Sequence, residues 1–211
     1  MKVVITERDV PACGELRVPP NSIVTDSARE AAALRGVRIV EVSDDDYSRL
    51  APPEKTIALG ADHGGYAMKE RLRLILDELG WAVRDVGVHE EKPADYPDIA
   101  LAVAELVASG KAALGVIVDG AGTGSAMAAN KVPGIRAALC YDRASARNSR
   151  EHNAANVLTL GGRLQTESQA EDVLRTWLAT PFAGGRHQGR IDKITAIERR
   201  YSSWKASESN S

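Results

Sequence analysis

The chain has little cysteine. Only Cys13 and Cys140 occur among 211 residues, far apart and in no metal-ligand spacing, which excludes a disulfide framework and a structural zinc site. Reduced intracellular thiols are the expectation. Net charge is also nearly absent: 27 Lys and Arg against 29 Asp and Glu leave −2, so no global basic field marks a nucleic-acid partner. No apolar run approaches the roughly 20 residues that cross a bilayer, so a membrane partner is not expected. The opening residues, Met1 to Glu7, meet acid too early for a secretory signal, and a cytoplasmic location is expected. No internal repeat stands out. What remains, 44% hydrophobic and 27% charged residues, is the balance of a globular protein.

From Thr56 onward short apolar runs alternate with amphipathic stretches. Strands are predicted at 56–59, 82–86, 114–118, 135–139 and 156–160. Helices are predicted at 66–79, 99–109, near Ser125, at 143–150, 167–179 and 191–200. Gly80 and Gly110 stand where helix C-termini favour glycine. Such alternation gives a five-stranded parallel sheet covered by helices on both faces, a Rossmann-like doubly wound α/β sandwich. Residues 53–211 form this domain. Residues 1–52 do not fit the pattern. They read as a small module with a Pro-Pro turn, a helix from Arg29 to Leu34 capped by Thr25 or Ser27, and a strand from Val37 to Val42. Asp44-Asp45-Asp46 and Pro52-Pro53 read as a stiff linker, and the serine-rich tail from Ser202 as frayed.

In a parallel sandwich, ligands bind outside the carboxyl ends of the strands. Asp62 and His63 follow the first of the five strands, Asp119 the third and Arg163 the fifth, so all four belong to one upper crevice. The stretch "GVIVDGAGTGSAMAANK" puts Gly120, Gly122 and Gly124 directly after Asp119. Such a turn aims backbone N–H groups at an anion. It lacks the Lys-Ser/Thr of a P-loop, and no cofactor is expected. His152, Arg186 and Arg190 follow helices and so belong to the lower edge, about 17 Å away across a five-residue strand. Two polar clusters so far apart cannot meet within one subunit: either one of them is structural only, or a second subunit brings them together, and the second option implies a symmetric dimer with two composite sites.

Each feature also has a plain reading. Asp62 is an ordinary helix cap, and His152 can be a surface histidine. Arg186 and Arg190 can be a solvated face, and Tyr96 can simply wall a loop. Yet three of the four histidines fall in these clusters, and a carboxylate beside an anion nest repels ligand unless it has chemical work.

The stretches "IALGADHGGYAMKERL", "DYPDIA", "GAGTGSAMAANKVPGIRAALC", "SREHNAANVLTLGGRL" and "GGRHQGRIDKITAIE" together resemble ribose-5-phosphate isomerase B and the related galactose-6-phosphate isomerase subunits. The resemblance runs from about Thr56 to Arg200. It implies a homodimer, or a tetramer built from dimers, with active sites shared between subunits and no metal. It makes Asp62 and Tyr96 sugar-binding groups and puts His63 on the phosphate or the hydroxyls. It sets the Gly120–Gly124 turn around an enediolate. His152 with Asn153, from the other subunit, would open the furanose ring. Arg163, Arg186 and Arg190 would hold the phosphate, with His187 near them.

The chain departs from that pattern where relatives carry a catalytic cysteine, here Asp119, and where they carry Thr or Ser in the turn, here Ala121. Other relatives place a glutamate where Ser125 stands. Thr123 or Ser125 is the expected substitute for the missing hydroxyl. A carboxylate can shuttle one proton between carbons 1 and 2 of an open-chain sugar, and burial would strengthen it as a base. Asp119 is therefore the expected base of an aldose–ketose isomerase acting on ribose 5-phosphate. A hexose 6-phosphate or tetrose phosphate, or a non-catalytic sugar-phosphate-binding or assembly protein, are the alternatives. Residues 1–52, with their "T-x-x-A-R" helix, resemble short segments on enzymes of bacterial microcompartments, which implies a shell or cargo contact and a place inside such a compartment.

Overall fold

The computed structural model describes residues 3–10, 14–43, 55–90 and 92–208. The chain divides into two compact units, Met1–Pro52 and Pro53–Ser211. Cys13 and the Asp44–Asp46 and Pro52-Pro53 linker lie outside the described residues.

In the first unit, β1 (Val4–Ile5) pairs in parallel with β3 (Ile23–Val24), and β2 (Glu15–Val18) with β4 (Arg38–Glu41). Helix α1 (Asp26–Arg35) is longer than the apolar spacing indicates. Thr25 supplies its N-cap by accepting from Ala28 N at 3.3 Å, and Gly36 ends it in the left-handed region. Ile5, Val10, Val18, Ala28, Ala31, Ala32 and Val37 close a small core of their own.

The second unit carries β5 (Thr56–Ala61), α2 (Tyr66–Glu78), β6 (Ala82–Asp85), α3 (Tyr96–Ala108), β7 (Leu114–Asp119) and α4 (Thr123–Ala129). These are followed by β8 (Ala137–Leu139), α5 (Arg143–Asn153), β9 (Val157–Gly161), α6 (Glu167–Ala179) and α7 (Gln188–Glu208). The five strands run parallel in the order β6-β5-β7-β9-β8. Every residue of β5, β7 and β9 is buried, which explains why these strands read as continuous apolar runs without alternation. Helices α2, α5 and α6 pack one face through Leu72, Ile75, Ala146, Leu174 and Trp177. Helices α3 and α4 pack the other through Val103, Ala104 and Ala129.

Three boundaries differ from the sequence reading in ways that matter. Helix α3 starts at Tyr96, not Ile99, because Asp95 is its cap and Pro97 suits the first turn. Helix α5 continues past Arg150 to Asn153, so His152 and Asn153 sit on its last turn. Helix α7 begins at Gln188 and runs to Glu208, through the stretch expected to fray.

Candidate active site

The upper crevice forms around the ends of β5, β7 and β9. Asp119 is buried, and its carboxylate accepts three backbone N–H groups: Ala121 N at 2.7 Å and Gly122 N on Oδ1, and Ser125 N at 2.9 Å on Oδ2. The nest is therefore occupied by the carboxylate of the residue that opens it. This corrects the expectation that the whole glycine turn is free for an enediolate. Gly122 spends its N–H on Asp119, and its missing side chain makes room for Leu139 and the Leu160 backbone. Ser125 is wholly buried, its Oγ without a partner among the described residues, so its contribution is the N–H on Asp119 and not a hydroxyl on substrate. Thr123, by contrast, is exposed on the first turn of α4. The N–H groups of Gly120, Thr123 and Gly124 remain at this open helix end as donors for a ligand oxygen.

The loop after β9 is zipped onto the same turn, with Gly162 N donating to Asp119 O at 2.7 Å and Arg163 N to Gly120 O at 3.0 Å. That brings the Arg163 side chain beside Gly120. Asp62 acts as a turn cap, its Oδ1 accepting from Gly64 N at 2.9 Å and Gly65 N at 3.0 Å. The plain reading of this residue thus holds for one of its oxygens. His63 is exposed and its Nδ1 accepts from Ala94 N at 3.4 Å. The Tyr96 ring lies directly on Gly124: a Cβ there would stand 2.6 Å from ring carbons.

Two supports were not read from the sequence. Lys69, fully buried on α2, pairs with Asp85 at 2.5 Å, and Asp85 in turn accepts from Gly87 N at 2.9 Å, bracing the loop toward Tyr96. Tyr141 Oη donates to Ala121 O at 2.6 Å and holds the glycine turn from outside. A lysine at a core-facing position of the predicted helix was the one available signal for the first; nothing local marked the second.

The lower edge gathers His152, Asn153, Arg186, His187 and Arg190. His152 and His187 stack with centroids 4.3 Å apart and planes 9° from parallel. Asn148 Nδ2 lies 2.9 Å from His152 Nδ1, and Glu151 Oε1 lies 3.8 Å from its Nε2. Burial, with the charges of His152, Arg186 and Arg190, holds the buried His187 below the ordinary imidazole range. The last turn of α5 is fixed by two arginines. Arg136 Nε donates to the carbonyls of Asn153 and Ala154, and Arg150 Nη1 to that of Ala155 at 2.6 Å, satisfying carbonyls that the helix end leaves open. The Asn153 amide folds back on Asn148 at 3.3 Å. Arg186, in the short turn Gly185–His187, and Arg190, on α7, are both exposed cations. Since β9 separates the α5 terminus from Arg163, one chain does not bring the two clusters together.

The fold and its two clusters define a doubly wound α/β protein with a buried carboxylate in a glycine turn at the strand ends and a cationic cluster at the opposite edge. The chain belongs to the ribose/galactose isomerase family, whose model matches residues 57–194. The ribose-5-phosphate isomerase B of Escherichia coli (strain K12) is 42% identical over 146 residues, 69% of this chain and 98% of that protein. The solved ribose-5-phosphate isomerase B of Clostridium thermocellum is 48% identical with a TM-score of 0.68, over 69% of this chain and 99% of that one. The type B enzyme of Trypanosoma brucei is 43% identical with a TM-score of 0.64, over 68% and 98%.

Proposed function

We propose that this chain interconverts ribose 5-phosphate and ribulose 5-phosphate, with Asp119 as the base. The observation that carries the reading is the buried Asp119 carboxylate, fixed by three N–H groups at the carboxyl end of β7, in a chain whose relatives named ribose-5-phosphate isomerase B match over nearly their full length. Oδ1 accepts two hydrogen bonds and Oδ2 one, so Oδ2 keeps a lone pair for a proton. It takes the proton from carbon 2 of the open-chain aldehyde as electrons move onto the carbonyl oxygen. The proton of the carbon 2 hydroxyl passes to the carbon 1 oxygen within the cis-enediolate, and Oδ2 returns its proton to carbon 1 as the carbon 2 carbonyl forms. The N–H groups of Gly120, Thr123 and Gly124 receive the enediolate oxygens, and Asp62 and Tyr96 orient the hydroxyls.

His152 and Asn153 of a second copy complete the site and open the furanose ring. Arg186 and Arg190 of that copy, with Arg163 and His63 of the first, hold the phosphate. The composite site makes the protein a homodimer. A groove of about 640 Å³ floored by Ile135, Ile194 and Ile197, with Asn153 on its wall, and the exposed Met127 supply apolar surface for the partner. Residues 1–52 serve as a docking module for a microcompartment shell or its cargo, placing the enzyme inside that compartment. Their separate core and the exposed register pair Val4 and Ile23 support this.

The three N–H bonds also favour one rival, in which Asp119 only fills its own nest and the chain binds sugar phosphates without turnover. Asp119→Asn decides between them. Isomerisation should fall by about 10²–10⁴-fold and far more than ribose 5-phosphate affinity, because the side chain keeps its size and one acceptor oxygen for the turn while the base is gone. A wild-type protein that binds the sugar but turns over none of a panel of aldose phosphates would establish the rival.

A further inference from the structure

His187 touches both halves of the lower cluster. One face stacks on His152, and its Nε2 lies 3.5 Å from Arg186 Nε, a long hydrogen bond in which the imidazole accepts. Accepting at Nε2 leaves the proton of a neutral ring on Nδ1, and that atom is buried with no partner among the described residues. The charged groups facing the stack are Glu151 from α5 and Arg186 and Arg190 from the segment that carries His187 itself. Glu151 lies 3.8 Å from His152 and also acts on His187, where burial, His152 and both arginines outweigh it. Two imidazoles this close repel a second proton, and burial together with His152 and the two arginines holds His187 below the ordinary imidazole range. Burying an aromatic ring with an unpaired donor is costly unless the ring does something a phenyl group would not.

We propose that His187 is a positioning residue for ring opening: a buried neutral ring that fixes the plane of His152 and ties it to the phosphate-holding Arg186. The proposal rests on the reading of His152 given above. In that step His152 removes the proton from the carbon 1 hydroxyl and delivers it to the ring oxygen, while the bond from carbon 1 to the ring oxygen breaks and the carbonyl forms. The imidazole is unchanged at the end. A ring held at one angle, in register with the phosphate on carbon 5, can reach both oxygens in turn.

The chemistry of the two sugars supplies the test. Ribose 5-phosphate is cyclic in water. Ribulose 5-phosphate cannot close a furanose ring, because its carbon 5 oxygen is esterified. Exchange of its carbon 1 hydrogen with D2O therefore reports enediolate formation without ring opening. His187→Ala should lower kcat on ribose 5-phosphate at least tenfold and leave that exchange within about twofold. His187→Phe, which keeps the stack, should recover part of the loss. Equal slowing of both reactions, or no slowing of the first, overturns the proposal. His152→Ala serves as the control: if it slows both equally, the ring-opening reading of His152 fails, whereas a split for His152 without one for His187 sinks only the positioning role. NMR titration of the His187 ring gives a readout independent of activity. It should titrate below the ordinary imidazole range and move toward it in His152→Ala; ordinary titration in the intact protein counts against a neutral, stacked ring.

Discussion

A side chain's partners decide what its type can do. Asp119 is the clearest case: a carboxylate beside a glycine nest can repel a ligand, act as a base or fill the nest, and the hydrogen bonds show that it fills the nest. If it is also the base, Asp119→Cys should retain measurable isomerisation while Asp119→Ala retains none, since a thiolate can take the same proton from the same place. Loss of activity in both, with unchanged thermal stability, would point to a base elsewhere. The arginines should behave in another way. Arg186→Ala or Arg190→Ala should weaken ribose 5-phosphate binding by about 1.5–3 kcal/mol each, a charge-assisted contact apiece, and leave unphosphorylated ribose nearly unaffected. Calorimetry with both ligands would check this, and equal losses would show the pair to be structural. The two cations were legible as residues four apart. The stack of His152 on His187 was not, because it joins α5 to the turn before α7 across a bend that no local pattern encodes.

Elements place these groups, and glycine marks where they come closest. A Cβ on Gly65 would lie 2.2 Å from the Val118 carbonyl, whereas one on Gly124 would meet the Tyr96 ring, which is 41% exposed and can swing outward. Gly65→Ala should therefore cost about 1–3 kcal/mol or more and lower Tm by several degrees, since backbone must move. Gly124→Ala should leave Tm nearly unchanged and instead raise KM, by displacing Tyr96. A comparable fall in Tm for both would assign Tyr96 to loop packing alone. The elements themselves were largely readable: buried parallel strands appear as short apolar runs, and amphipathic helices fill the gaps. Their ends were less so. Helix α5 extends three residues beyond its apolar pattern because Arg136 and Arg150 satisfy carbonyls at its end, and Arg136 reaches there from a position that only the fold brings near.

At the scale of the molecule, the separation of the two edges carries the most testable consequence. Mixing Asp119→Asn with His152→Ala protein under subunit exchange should make about half the dimers mixed, each with one intact site, and restore roughly a quarter of wild-type activity. If both groups served the same subunit's site, every site would stay damaged and no activity would return. Removal of residues 1–52 should leave isomerisation intact, because that unit has its own core, and abolish co-sedimentation with shells; retained co-sedimentation would end the docking role. Stability should also depend on pH through His187. Its folded value lies below the unfolded one, so the unfolded chain binds the proton first, and stability falls as pH drops below about 6.5. In His187→Phe that part of the acid sensitivity should vanish from thermal melts.

The order of apolar runs, glycines and caps was enough by itself to determine a parallel α/β sandwich, the assignment of each polar residue to an upper or lower edge, and hence two clusters in one chain. These are consequences of chain direction in a parallel sheet, and direction is written in the sequence. The tertiary structure alone decided which donors a given acceptor receives. Gly122 in the left-handed region turns its N–H back onto Asp119, the packing of β9 against β7 lays Arg163 beside Gly120, and the bend before α7 sets His187 under His152. Hydrogen bonds and ring stacking depend on tenths of an ångström between residues distant in sequence, a distance scale that composition and periodicity do not reach.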